Sequence, residues 1–364
     1  MKAKRIGEIE IFRFIFCLIV ICYHCDTRIF QQFAGYDYQF LCAPRGYLGV
    51  EFFFLLSGYF MASSVKKYDP AKVSKGTYYL RFLWGKYLSV LPYHLIAFVP
   101  LFVKYCIDRK GFTLNMFMRV MPDLFLVQRS GVPYTNINSV TWYISAMLIA
   151  MAIMMPLAVK FGDLYLKYLA PLAAFIIYGF LIHQNGKLGN VNAWSVGFNC
   201  VWRAIAGLNL GIFANTCASY LMRFDFSKKE RAFAHIVRYT LLGIVVAFMF
   251  LLFPVKFEMW FVMMMFVLLV LTFVFSSREA KALNGKTAMF LGKMSLTMYL
   301  NQIFVIMIVK TFELQIAPVW IVLIILAATF IISLPTYFGG NALLKYWAGN
   351  RFNRMIMGVE KPKA

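Results

Sequence analysis

The sequence predicts an all-α, polytopic membrane protein with about ten transmembrane helices and both termini in the cytoplasm. Three observations carry that reading. Hydrophobic residues make up 62% of the 364-residue chain and charged residues only 14%, with a mean hydropathy of +0.70, far from the balance of a soluble domain. The apolar residues fall in runs of about 17 to 25, the length a helix needs to cross a bilayer. The basic residues collect in alternate connections, as the positive-inside rule requires of a multi-pass chain.

Taken in order, the runs are 7–25, 46–64, 86–105, 140–158, 167–183, 198–221, 239–255, 257–276, 294–312 and 318–338. The first lacks the short apolar region and small-residue cleavage site of a signal peptide, so it reads as a retained helix. The segment from Asn115 to Gln128 is apolar in part but carries Arg119 and Asp123, and reads as interfacial and not spanning. With a cytoplasmic N-terminus, most of the 37 Lys and Arg fall in inner loops, chiefly around 66–86, 223–238 and 278–293 and after Lys345. The longest connection, 106–139, is too short to bury a core of its own. The expected organisation is therefore one membrane-embedded domain over 1–350 and a cytoplasmic basic tail over 351–364.

A net charge of +22 and a pI near 9.7 would suggest nucleic acid in a soluble protein. Their distribution along the loops answers to the membrane instead, and no nucleic-acid partner is expected. The seven cysteines are scattered, with no CxxC and no ligand-like spacing to the four histidines, so neither a disulfide framework nor a metal site is indicated.

Ionisable residues inside spans are costly, about 3 kcal/mol or more at the bilayer centre, and ask for a partner or a purpose. Arg13 and His24 lie eleven residues apart in the first span, about 20° beyond three full turns and about 16 Å along the axis. They share a face at different depths. Snorkelling of Arg13 and an interfacial His24 would also account for them. In the second span, GYLGVEFFFLLSGYFM, Glu51 stands about as deep as His24. Its carboxylate is placed either to orient that imidazole or to pair with Arg203 in the sixth span, and the two roles are compatible. Gly46, Gly49 and Gly58 permit close helix approach. His94, inside the third span, reads as a packing or interfacial residue, and His183 and His235 lie at helix ends.

Arg13 with ten residues to His24, followed by GVEFFFLLSGY, resembles the membrane-bound acyltransferase 3 family. The likeness runs from about residue 7 to 348 through KYLSVLPYHL, TWYISAML, VWRAIAGLNLGIF and FLGKMSLTMYL. The resemblance implies transfer of an acyl group, acetyl from acetyl-CoA first among them, to hydroxyls of envelope glycans or lipid-linked sugars, with the histidine as a catalytic residue. It further implies a multi-pass protein of the bacterial cytoplasmic membrane. Three positions depart from the family pattern. Ser89 stands where a second arginine is usual, Met147 where a glutamate is usual, and Gln302 where a histidine is usual.

Chemistry assigns provisional roles. The phosphates of acyl-CoA, the expected co-substrate, cannot enter hydrocarbon and would meet basic residues in the cytoplasm, for which Lys66, Lys67, Arg81 and Lys86 are available. His24, with Glu51 behind it, would act as base or as acyl carrier, and Arg13 would stand at the mouth of the donor channel. Arg203 and Asn199, one turn apart, are candidate acceptor or oxyanion contacts. Trp142, Tyr143 and Trp194 are placed to stack on a sugar. A secondary transporter, a glycan exporter or a non-catalytic glycan-binding relative would use intramembrane charges equally well.

Overall fold

The computed structural model describes residues 6–29, 42–111, 113–251, 257–276 and 285–358. Its elements are α1 (Gly7–Arg28), α2 (Gly49–Val65), α3 (Lys75–Leu88), α4 (Leu91–Asp108), α5 (Leu114–Leu124), α6 (Trp142–Phe161), α7 (Ala170–Asn185), α8 (Asn199–Leu221), α9 (Lys228–Phe250), α10 (Glu258–Phe275), α11 (Lys286–Thr311), α12 (Pro318–Gly349) and α13 (Arg351–Ile356). A minimal antiparallel ribbon, β1 (Trp194–Ser195) with β2 (Gly197–Phe198), precedes α8. The chain is a multi-pass helical membrane protein.

Nine of the described helical stretches are long and apolar enough to cross a membrane, against about ten expected. The difference is α1. It is 22 residues long, but Glu8, Glu10 and Arg13 in its first half, with Asp26 and Arg28 at its end, keep it outside that description. The third expected span, 86–105, is shifted as well. Helix α3 closes at Leu88 and α4 opens at Leu91, because Pro92 has no N–H to give and is tolerated only in a first turn. Lys86 therefore belongs to a separate 14-residue helix too short to span. The interfacial segment forms as α5, 11 residues long.

Local sequence explains several boundaries. Ser74 caps α3 by accepting from the Thr77 N–H, and Ser227 with Glu230 closes a capping box on α9. Gly186, in the left-handed region at φ 68°, ends α7.

Packing centres on α2 against α8, where a Cβ at Gly58 would overlap the Leu208 carbonyl and one at Gly211 would overlap the Leu55 carbonyl. The two backbones touch because neither carries a side chain there. Helix α1 lies on α11, with Cys17 Sγ donating to the Ser295 carbonyl at 3.1 Å, and α4 lies on α12 through Tyr93 and Asn341, 3.0 Å apart. These contacts hold α1, α2 and α8, three of the helices that carry candidate residues.

Candidate active site

One stripe of α1 carries Arg13, Cys17 and His24, at spacings of four and seven residues that repeat the helical period. Arg13 donates from Nη1 to Glu10 Oε2 at 2.9 Å and keeps 25% side-chain exposure. It also acts electrostatically on Cys17 one turn on, on Tyr143 of α6 and on Lys86 of α3. At the far end of the stripe, His24 Nδ1 lies 2.9 Å from the Val20 carbonyl. A carbonyl only accepts, so Nδ1 carries a proton there, and in the neutral ring the basic nitrogen is Nε2. The neighbouring Tyr23 ring meets both His24, at 5.2 Å, and Tyr47, at 5.5 Å between centroids, which joins α1 to the start of α2.

There the second polar element begins. Glu51 is fully buried, and its carboxylate accepts from Arg203 Nε of α8 on one oxygen and from the Tyr178 hydroxyl of α7 on the other. Arg203 also donates from Nη2 to the Tyr47 carbonyl at 2.8 Å and lies 5.7 Å over the Trp142 ring. Glu51 was expected either to orient His24 or to pair with Arg203. The ion pair forms, Tyr178 fills the second oxygen, and the His24 imidazole meets its own helix at the Val20 carbonyl. The reason is geometric, since close backbone contact brings Arg203 directly across from Glu51. The Tyr47 hydroxyl in turn donates to Glu258, whose other oxygen accepts the Leu188 N–H at 2.7 Å.

The aromatic candidates face inward. Trp142 is committed to the Arg203 cation, and Tyr143 packs among Phe54, at 4.6 Å, and Tyr299, at 5.9 Å. Tyr143 feels the charges of both Arg13 and Glu51, so it lies within reach of the two polar elements. Asn199 donates from Nδ2 to Asn185 at 3.1 Å while its Oδ1 is buried without a partner. The side chain of Trp194 lies outside the described residues.

The four basic residues expected at the donor phosphates do not converge. Lys66 reaches across to α8, donating to Asn215 Oδ1 at 2.7 Å and Ser219 Oγ at 2.9 Å. Lys67 is exposed. Arg81 donates from Nε to the Ile356 carbonyl at 3.1 Å, closing the end of α13, and Trp84 bonds Asn353 beside it. The residues expected to form a tail thus fold back in part onto α3. Only Lys86 shares a neighbourhood with Arg13; burial, and then the Arg13 guanidinium, draw its pKa below the ordinary lysine range.

Several participants were not legible beforehand. Tyr178 and Glu258 sit in apolar runs, and Glu258 at the head of its span was the one visible signal. Gln128 and Arg129, in the connection before α6, gave none. At the departures from the family pattern, Ser89 bonds the Lys86 carbonyl at 2.6 Å and Met147 accepts from the Tyr143 hydroxyl at 3.6 Å. Gln302 is fully buried, with Nε2 on the Tyr299 carbonyl and Oε1 unpartnered. Among the described residues no group of three His, Cys, Asp or Glu side chains could hold a metal ion. His94 is buried and bonds the Asp123 carbonyl at 3.0 Å, a tie between α4 and α5.

A bundle of apolar helices that buries Glu51, Arg203, Tyr178 and Glu258 near one end, with an arginine and a histidine along one helix face, is a membrane protein with a polar interior site. The chain belongs to the acyltransferase 3 family: the family's acyltransferase domain matches residues 6–338, nearly its whole length. It is a membrane acyltransferase. Comparison with curated proteins and with solved structures gives no match.

Proposed function

We propose that the protein transfers an acyl group, acetyl first among the candidates, from acyl-CoA held at the cytoplasmic side to a hydroxyl of an envelope glycan or a lipid-linked sugar in the bacterial cytoplasmic membrane. The observation that carries the reading is the contact of His24 Nδ1 with the Val20 carbonyl at 2.9 Å. With Nδ1–H fixed on Val20, Nε2 is the basic nitrogen, as a general base for a sugar hydroxyl requires.

In this reading the Nε2 lone pair takes the hydroxyl proton as the acceptor oxygen attacks the thioester carbonyl. The C–S bond of the donor then breaks, the acyl ester forms, and the proton passes to the departing CoA thiolate. Arg13 and Lys86, close enough that the guanidinium acts on the Lys86 amine, form a cationic pair suited to the donor's phosphates. Tyr143, within reach of Arg13 and Glu51, lines the path from one to the other. Arg203 is held too firmly by Glu51 to move, which suits a fixed positive field near a developing oxyanion.

The test is transfer of isotope-labelled acetyl from acetyl-CoA to glycan from the source cells, using detergent-purified protein. Wild type should label the glycan, and His24→Gln should not while still binding acetyl-CoA. Equal labelling by a folded His24→Gln protein would remove His24 from the mechanism.

A further inference from the structure

The connection before α6 holds a charge that nothing in the mechanism uses. Arg129 is only 4% exposed, yet its Nε and Nη1 are buried with no hydrogen-bond partner. Its own backbone N–H is bonded to Ser145 Oγ at 3.1 Å, which fixes the residue against the first turn of α6. The guanidinium lies 5.2 Å over the Tyr134 ring and 5.2 Å over the Phe198 ring. Ring faces attract a cation but leave its N–H donors unused. Asp123 feels the charge, but its Oδ2 is on the Ile137 N–H at 3.0 Å and its buried Oδ1 makes no hydrogen bond, to Arg129 or to any other group. A buried guanidinium ordinarily has a carboxylate or phosphate against it, because desolvating an unpaired ion costs several kcal/mol.

The surroundings are equally unfinished. Gln128 Oε1, Asn199 Oδ1 and Arg203 Nη1 are buried and unpartnered as well. Asn199 follows Phe198, whose ring lies under Arg129, and Cys200 lies in the fields of Arg129 and Arg203 together. Two cationic donors and two amide acceptors thus crowd the starts of α6 and α8, a set that complements a polyhydroxylated molecule bearing one negative group. The donor's phosphates are not that group in the reading above. That reading places them at Arg13 of α1 and Lys86 of α3, whereas Arg203 is paired with Glu51 at the start of α2.

We propose that Arg129 binds an oxyanion, a carboxylate or a phosphate, carried by the acceptor carbohydrate, with Gln128, Asn199 and Arg203 taking its hydroxyls. The ligand's being the acceptor rests on the acyl-transfer reading; the anion site does not.

The test is a calorimetric titration of the detergent-purified full chain with glucuronate, glucose 1-phosphate and glucose. At least one acid should bind at least tenfold more tightly than glucose, and Arg129→Gln should abolish that preference. A preference for glucuronate assigns an acidic sugar, and one for glucose 1-phosphate assigns a phosphate-linked sugar. Should Arg129→Gln fail to fold, Arg129→Lys keeps the charge without the planar fork and should weaken the acid at least threefold with glucose unchanged. Equal binding of all three ligands by wild type, survival of the preference in Arg129→Gln, or an unchanged preference in Arg129→Lys would overturn the proposal. No acyl transfer enters the measurement, so a failure of the acyl-transfer reading leaves these outcomes standing.

Discussion

Glu51 and Arg203 form an ion pair across the α2–α8 contact in which the two side chains are 0% and 1% exposed. Each charge has its solvation replaced by the other, by Tyr178 and by the Tyr47 carbonyl. The pair is therefore a structural commitment of the bundle before it is anything else.

Removing one partner should cost far more than the pair is worth, because the survivor stays buried and unpaired. Glu51→Gln and Arg203→Met are each expected to lower stability by about 3 to 5 kcal/mol. The double variant should fall well short of the sum, a coupling that a thermal-melt double-mutant cycle reads directly.

The same helices touch through glycine, which gives a second expectation. Gly58→Ala and Gly211→Ala each place a methyl into opposing backbone that cannot rotate away, at a cost of about 1 to 3 kcal/mol or more. Gly243, inside α9, has nothing within 4 Å of the added Cβ, so Gly243→Ala should be neutral or stabilise by up to about 1 kcal/mol. Melting temperatures that rank the three alike would contradict the close contact.

Asp123 supplies a pH dependence. Burial pushes its carboxyl up from 3.8 to about 6, against the opposing pull of the Ile137 N–H and Arg129. The folded state binds the proton more tightly than the unfolded one, so the contribution is fully present below about 4 and is lost as pH rises through about 6. At neutral pH the ionised group should cost about 2 to 3 kcal/mol. Asp123→Asn keeps an acceptor for Ile137 and removes the charge, so wild type should gain on the variant between pH 7 and pH 5. Parallel melting curves across that range would show that Asp123 titrates normally.

The spans were legible because their signal is length and apolarity, which no packing partner can hide. The stripe linking Arg13 to His24 was legible because helical period follows from spacing alone. What could not be read was direction across the bundle. Glu51 meets Arg203 and Tyr178 because glycines on α2 and α8 let two backbones touch, and that juxtaposition has no counterpart in any single segment. Arg81 is a related case: a basic residue beside the membrane reads as available for phosphate, and only the fold shows its Nε spent on the Ile356 carbonyl at the end of α13. Arg129 left no trace because its meaning is the absence of a partner, a property of the folded neighbourhood.

The last expectation follows from the α1 stripe itself. Arg13 and His24 share a face, but their environments differ: Arg13 is a quarter exposed and paired to Glu10, while His24 is fixed through Nδ1. If the face lines the path from donor to acceptor, the two should fail in different parameters. His24→Ala removes the base, so turnover should drop by about 10² to 10⁴ with acyl-CoA affinity retained. Arg13→Leu removes a charge from the donor's path and takes the Arg13 ion pair from the buried Glu10, so the Michaelis constant for acyl-CoA should rise and thermal stability should fall as well. Arg13→Lys, which keeps the charge but not the fork, should lie between Leu and wild type. A purely interfacial role for both residues predicts the opposite, with catalysis nearly unchanged in each. Steady-state kinetics on the three variants, with melts as the folding control, separates the two accounts. Full turnover in folded His24→Ala together with an unchanged Michaelis constant in Arg13→Leu would show that this face of α1 serves the bilayer and not the reaction.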